Sequence, residues 1–549
     1  MPIRSERSLP MLEVAPAVRE EPRAAPRPGG TLDEYAIEST ILPRFHVWTL
    51  GCQMNQSDSE EMAGALLAAG CSEAADLGSA DLIVINTCSI REAAEQKVIG
   101  RMGVLGKLKE ANPDLRVVLT GCSVRADNEA HLPRRYPAVD LFLRPDEEPE
   151  LVARLGLGSP TTPEQLGAPA FVRVGRSTAA VADRLPGTRA RAVEQGRIAR
   201  TRDARAWIPI VYGCDKTCTY CIVPFSRGPE RSRPFDDILA EARALAASGC
   251  QEVTLLGQNV NSYGHDLPID DRFAGLGSER RLGHRLDRDG RPDMAALLAA
   301  IDDVRGPDGG PGIARLRFVT SHPWDLTDRL IEAMAGCASV CEHLHLPVQS
   351  GDDEVLRRMG RQYTSTDYLE LVSRLRAAIP GISLTTDVIT GFCGESETQF
   401  ERTLELLRTV RFDQVFAAAY SPRPGTPATR LDDDVPGAEK KRRLNALLAI
   451  QEDIGLDLNR AWLGRGTEVL VEEARAPREH DHGSEHASLT PRGPRLSGRN
   501  REHKLVHFDG PESLVGRRVL VDIEHAGPYA LSGRLRATGG GDRAVPADA

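Results

Sequence analysis

Nowhere in these 549 residues does an uninterrupted apolar run reach the roughly 20 residues that a membrane-spanning helix requires, so no such segment is expected. The opening stretch, MPIRSERSLPMLEVAPAVREEPRAAPRPGG, mixes charge with proline and has no continuous apolar h-region. It reads as a disordered lead and not as a signal peptide, and a cytoplasmic location is expected. Eleven cysteines are too few and too unevenly placed for a disulfide scaffold in so long a chain. In a reducing compartment, closely spaced cysteines point instead to metal or redox chemistry. Net positive charge is lacking as well: at -10 the chain has no global attraction for nucleic acid, which excludes a nonspecific coating protein and leaves only local patches for RNA. Candidate patches are the run from Arg197 to Arg205, the tetrad Lys440, Lys441, Arg442 and Arg443, and the stretch from Arg492 to Lys504, although such runs are ordinarily solvated faces. With no repeat or coiled-coil heptad to suggest a partner helix, a monomer is expected.

An apolar fraction of 41% and a charged fraction of 27% are those of a globular protein, and the length suggests three units plus tails. From about Phe45, short apolar strands alternate with amphipathic helices. FHVWTL, DLIVINT and LRVVLT are the first three strands, and they lead into Cys52, Cys88 and Cys122. A doubly wound parallel sheet gathers ligands at its carboxyl edge, so three thiols far apart in sequence are expected to converge there. After an irregular stretch, WIPIVYG, VTLLGQN, LRFVTS, HLHLPVQ, SLTTDVITG and QVFAAAYS alternate with helices, which suggests a partial (βα)6 TIM-like barrel. Shorter strands and turns from about Gly464 read as a small β-barrel. The expected organisation is a disordered lead over 1–42, a parallel-sheet domain over 43–158 and a linker over 159–205. The barrel follows over 206–460, the small barrel over 461–537 and a disordered tail over 538–549, with inserts near 265–293 and 476–489.

The sharpest local signal is GCDKTCTYC, which spaces Cys214, Cys218 and Cys221 as C-x3-C-x2-C just after the first barrel strand. Three thiolates fit a cubane iron-sulfur cluster and leave one iron without a protein ligand. A zinc site, left open at this point, normally takes a fourth protein ligand or His and carboxylate partners. An open iron can be chelated by the amino and carboxylate groups of S-adenosylmethionine, and an electron passed into the sulfonium releases a carbon radical. Tyr220, between two of the cysteines, is placed to pack beside the adenine or in the core.

The segment CDKTCTYCIVPFSRGPERSRP resembles the signature of the radical S-adenosylmethionine methylthiotransferase family, and GCQMNQSDSE, NTCSIREAAEQKV and TGC resemble that family's other cluster domain. LLGQNVNSYG, HLPVQSGDDEVLRRMGRQYT and YSPRPGTPA are similar to the MiaB subgroup, whose members modify isopentenylated adenosine beside the tRNA anticodon. The resemblance implies two 4Fe-4S clusters: Cys214, Cys218 and Cys221 would ligate the one that binds S-adenosylmethionine, and Cys52, Cys88 and Cys122 an auxiliary one that carries sulfur. One S-adenosylmethionine would methylate that sulfur. A second would give the radical that takes hydrogen from C2 of the adenine.

Gln258, Asn259, Gln349 and Asp387 stand in or at the ends of barrel strands where they could face the cofactor, as could Ser350. The C-terminal unit resembles the TRAM domain, and Arg499, Arg501 and Lys504 fall where it would meet phosphate. Where the family reads Gly-Phe-Pro-Gly-Glu, this chain has Cys393 in place of the proline. Cys393, Cys71 and Cys250 read as structural, and Cys337 and Cys341 as buried, not ligating. The implied partners are the anticodon loop of tRNA, a one-electron reductant such as flavodoxin or ferredoxin, and a sulfur or cluster-repair carrier. The alternatives are the same chemistry on threonylcarbamoyl adenosine or a ribosomal protein aspartate, or a non-catalytic iron-sulfur or zinc protein that binds RNA.

Overall fold

The first strands show how the chain makes two buried faces from one apolar run. β1 (Arg44–Leu50), β2 (Ser72–Glu73), β3 (Leu82–Thr87), β4 (Arg116–Thr120) and β5 (Leu141–Phe142) form a parallel sheet in the order β2-β1-β3-β4-β5. In β3, Leu82 and Val84 pack with Met62 and Leu66 of helix Gln53–Ala68, while Ile83 and Ile85 join Val98 and Leu105 of helix Glu92–Ala111. A strand covered on both sides has no polar face, which is why LIVINT reads as a continuous run. The chain leaves β1 toward β2 on one side and returns to β3 on the other. Such a reversal of strand order opens a crevice at the carboxyl edge.

The computed structural model describes residues 42–88, 92–157, 204–276, 278–281, 284–287, 290–475 and 494–536. The expected lead up to residue 41, the linker up to residue 203, the basic residues from Arg197 within it, the insert at 476–489 and the tail lie outside the described residues. Most of the expected insert at 265–293 is described, and it carries a two-stranded hairpin noted below.

The barrel strands are β6 (Arg205–Pro209), β9 (Glu252–Leu256), β12 (Arg315–Phe318), β13 (His343–His345), β14 (Ser383–Thr390) and β15 (Gln414–Ala419). Between them lie β7 (Val211–Tyr212), paired with β8 (Arg231–Ser232), and the hairpin of β10 (Ser278–Arg281) and β11 (His284–Asp287). The six form two parallel three-stranded sheets, β6-β9-β12 and β13-β14-β15, joined by a parallel bridge from Leu316 to Val340. Alternation sets their faces: Ile208, Val253, Leu255, Leu316, Leu344, Leu384 and Val415 pack outward under the helices, and their sequence neighbours point inward.

β16 (Gly466–Arg475), β17 (Arg495–Arg499), β18 (Leu505–Asp509), β19 (Arg518–Ala526) and β20 (Leu531–Leu535) close into a small barrel around Val469, Leu496, Val506, Phe508 and Val521. It docks under the amino-terminal ends of the large barrel's strands. Arg205, which opens β6, pairs with Glu472 at 2.7 Å. Arg315, which opens β12, donates to the Arg499 carbonyl at 2.7 Å and to Glu468 at 2.8 Å. Arg317 donates to the carbonyls of Asn500 and Arg501, and His343, which opens β13, stacks on His503 with ring centroids 4.4 Å apart.

Three cations expected to meet an RNA phosphate, Arg499, Arg501 and Lys504, have partners at this seam. Arg501 forks onto Glu342 at 2.8 and 2.9 Å, and Lys504 binds Asp413 at 2.5 Å and Asn459 at 2.8 Å. Arg499 is half-buried, donates to the His503 carbonyl and lies 3.7 Å from Glu472. The carboxylates at the barrel's foot claim these cations because the turn that carries them folds underneath. Three of the basic tetrad are likewise engaged in the fold: Lys440 pairs with Asp433, Arg442 with Glu397 and Glu439, and Arg443 with Glu395, while Lys441 is exposed.

Candidate active site

The GCDKTCTYC loop leaves β7 through Gly213, whose φ of +75° brings it so close to the Pro229 carbonyl that a Cβ would collide with it. The loop is then clamped from below: Thr219 N–H donates to the Met359 carbonyl at 2.9 Å, its hydroxyl to the Arg358 carbonyl at 2.8 Å, and Ala428 N–H to the Thr219 carbonyl at 2.8 Å. Gly360, at φ +72°, makes room for the loop backbone at Thr217. Cys214 is buried, and Cys218 and Cys221 are half-buried. Burial pushes the Cys214 and Cys221 thiols up to about 12, with the charges of the neighbouring cysteines adding to the effect. Thiols in that state give up their protons to a metal centre and to little else.

Cys218 is held from two sides. Arg361 Nη1 donates to its sulfur at 3.5 Å while Nη2 binds the Pro347 carbonyl at 2.8 Å, and His322 Nε2 lies 3.9 Å away. Behind His322 runs a buried chain of polar contacts: the Asn259 side-chain Oδ1 accepts from the His322 backbone N–H at 3.3 Å, its Nδ2 donates to Asp325 at 2.5 Å, and Lys216 pairs with Asp325 at 2.6 Å. Asn259 therefore braces the cysteine loop. Gln258, beside it, has a buried Oε1 without a hydrogen-bond partner among the described residues. An orphaned acceptor at the mouth is what a donor-bearing ligand would satisfy. Gln349 takes φ +73° and Thr320 φ +69°, two non-glycine residues in the left-handed region at the carboxyl ends of barrel strands. Such conformations cost energy and persist where the surroundings impose them. Ser350 is buried against Thr403. Tyr220 packs edge-on to Phe392 at 6.5 Å, beside the cluster that contains Cys393. Asp387 lies lower, inside the barrel, 3.5 Å from His345.

The other three cysteines sit at the crevice of the parallel sheet. Cys52 caps helix Gln53–Ala68 and lies 3.3 Å from Asn55 Oδ1. The Asn55 amide donates to Asn86 Oδ1 at 2.7 Å, in the strand that leads to Cys88. Cys88 N–H donates to the Leu50 carbonyl, and Gly121, at φ +90°, presses against the Thr87 carbonyl. Cys88 and Cys122 are buried and Cys52 is exposed. Burial raises the Cys122 thiol, and the Arg227 charge opposes it.

The two triplets face one another. Cys122 and Cys221 act on each other electrostatically, as do Cys52 and Cys122. Met54, two residues past Cys52, packs on Tyr212 and Leu256 of the barrel. Arg227, six residues past Cys221, donates through Nε to the Cys122 sulfur at 3.3 Å and through Nη2 to Asp58 at 2.7 Å. With Asp58, Glu148 and Arg231 it lines a cavity of about 50 Å³ between the domains. Burial, then the Asp58 charge, holds the Glu148 carboxyl well above its ordinary range. Among the described residues no three His, Cys, Asp or Glu side chains are gathered tightly enough for a single metal ion. A four-iron cube is several ångström across and needs its thiolates further apart, and all-sulfur donor sets suit it. Sequence reading missed Arg227, Arg361 and His322; the Arg227 in PFSRG, just past the cysteines, was the available signal.

A family model described as the radical SAM superfamily matches residues 208–407, and one described as uncharacterized protein family UPF0004 matches 44–144. The tRNA-2-methylthio-N(6)-dimethylallyladenosine synthase of Carboxydothermus hydrogenoformans is 42% identical over 89% of this chain and 99% of its own length. That of Moorella thermoacetica is 42% identical over 89% and 98%. Among solved structures, the radical S-adenosylmethionine methyltransferase TsrM of Kitasatospora setae aligns at 16% identity and a TM-score of 0.45, over 70% of this chain and 74% of that one. That likeness is too distant to argue from.

Proposed function

The chain belongs to the tRNA-2-methylthio-N(6)-dimethylallyladenosine synthase family of radical S-adenosylmethionine enzymes, and from that premise we propose how its own residues carry out the reaction. It is a methylthiotransferase that uses S-adenosylmethionine and a 4Fe-4S cluster to replace the C2 hydrogen of N6-dimethylallyladenosine in tRNA with a methylthio group. Cys214, Cys218 and Cys221 would hold that cluster, and Cys52, Cys88 and Cys122 a second one. When bound, the first supplies the electron that cleaves S-adenosylmethionine, and the second supplies the sulfur that is transferred.

The residues around these sites orient and insulate. Arg361 and His322 fix Cys218, and the Lys216, Asp325 and Asn259 chain holds the loop against the barrel wall. Gln258 and Gln349 offer polar atoms to the cofactor at the mouth, and Tyr220 offers a ring. Asp387, also expected at the cofactor, stands lower. A one-electron donor such as flavodoxin or ferredoxin and a sulfur carrier that rebuilds the second cluster would complete the cycle in the cytoplasm. RNA contact by the small barrel would fall to exposed cations such as Arg495 and Arg517.

The observation that carries this reading is the facing of the two cysteine triplets, with Arg227 reaching from the loop of one to a thiol of the other. The test is anaerobic reconstitution of the wild type, of a Cys214→Ala, Cys218→Ala, Cys221→Ala variant and of a Cys52→Ala, Cys88→Ala, Cys122→Ala variant, with iron and sulfide counted. Nucleoside mass spectrometry then follows incubation with dithionite, S-adenosylmethionine and dimethylallylated tRNA. Two clusters and a methylthio adduct in the wild type, with one cluster and no adduct in each variant, are expected. A zinc-bound wild type that cleaves no S-adenosylmethionine would refute it.

A further inference from the structure

We infer that the barrel interior at the level of Phe416 is the chamber that receives the target adenine and its dimethylallyl group, an inference that rests on the reading above. Phe416 lies in the middle of β15, between Val415 and Ala417, which turn outward into the helix-packed core. Its ring therefore points inward, yet it is 47% exposed. A half-exposed phenyl ring on an outer surface asks for no explanation. Inside a parallel barrel, where layers of side chains ordinarily fill the space, it marks room left for something else.

The neighbours define what that is. His345 meets Phe416 edge-on, with centroids 5.7 Å apart and planes at 72°. The imidazole is steered by the Thr385 hydroxyl, 3.0 Å from Nδ1, and by Asp387, 3.5 Å from Nε2, whose side chain is itself 41% exposed. Arg317, the cation below, is spent on Glu252 and on carbonyls of the small barrel. The chamber thus offers an aromatic face and a hydrogen-bonding edge, with Arg317 already paired. That chemistry fits a flat heterocycle with an apolar arm and gives a phosphate little to bind.

Access and depth agree. Among the described residues, β6 and β15 each have one edge with no strand partner, so strand pairing does not close that side of the barrel. The stacked His343 and His503 close the floor. Asp387 lies three residues before Thr390 at the mouth, about 10 Å down at the rise of a β-strand, so a purine lying on Phe416 would present its far edge to the cysteines. Asp387 therefore serves the base through His345, and the cofactor is left to residues nearer the mouth.

The test compares the reconstituted full-length wild type with Phe416→Ala, Phe416→Tyr and His345→Gln. Each is titrated with anticodon stem-loops that carry either N6-dimethylallyladenosine or plain adenosine at the target position, and each is assayed for KM, kcat and cleavage of S-adenosylmethionine without RNA. The wild type should prefer the dimethylallylated RNA. Phe416→Ala should bind that RNA at least about tenfold more weakly, within the range of one lost base-aromatic stack, and should lose the preference over plain RNA, while its RNA-free cleavage stays unchanged. Phe416→Tyr should keep the preference, and His345→Gln should raise KM more than it lowers kcat. If the wild type prefers the dimethylallylated RNA and Phe416→Ala keeps that preference, the inference falls and the functional reading survives. Loss of RNA-free cleavage in Phe416→Ala overturns it too, by assigning the ring to the cofactor. A wild type that shows no preference sinks both.

Discussion

Arg227 is a buried cation with work at three points: its side chain is 5% exposed, it donates to the Cys122 sulfur and Asp58, and it offsets the charge near Glu148. Removing one partner from a buried ion pair leaves the other charge unsolvated, which costs more than the pair gains by forming. Arg227→Met should therefore lower stability by about 3 kcal/mol in urea titration, and adding Asp58→Asn should recover part of that loss; additive losses would refute the coupling. None of these partnerships is local. Asp58 is 169 residues from Arg227 in sequence and Cys122 is 105. The six cysteines were legible because their spacing and their positions after strands are local facts. Arg227, Arg361 and His322 were not, because their partners come from other elements.

At the scale of elements, the parallel strands and the barrel were readable from alternation and apolar runs, since burial on both faces of LIVINT leaves a mark in the sequence that no loop imitates. What alternation could not give was the closeness of the carboxyl-edge turns. There Gly121 carries the positive φ and presses on the Thr87 carbonyl beside Cys88. Gly121→Ala is expected to cost about 2 kcal/mol in thermal or urea unfolding and to reduce the iron retained after reconstitution, because a side chain there adds left-handed strain and forces the two turns apart. Unchanged iron content would show that the turns tolerate the separation. The contrast with Arg499, Arg501 and Lys504 is instructive: a basic run is visible in sequence, but whether water, phosphate or a carboxylate from the neighbouring barrel meets it is decided by docking.

At the scale of the whole molecule, the seam under the barrel joins domains through buried charge and two histidines. Burial holds His343 and His503 well below their ordinary value of 6.5, followed by the Arg317 charge at His343 and by His343 itself at His503, with Arg499 acting on both. Both are neutral in the folded protein at pH 7, so the unfolded chain binds protons that the folded one refuses. Stability is complete above about 6.5 and falls as pH drops below it, by up to about 1.4 kcal/mol per pH unit for each histidine. Urea midpoints at pH 7.5 and 5.5 should show this loss, and His343→Gln should reduce it; a midpoint indifferent to pH would contradict the neutral pair.

The same seam fixes the small barrel beneath one end of the large one while the cysteines occupy the other. β14, eight residues long, separates those ends by about 26 Å. An RNA touched at both places is gauged as well as read. With the RNA contact proposed for the small barrel, the protein would act as a caliper, accepting a nucleoside according to how far it stands from the rest of its own molecule.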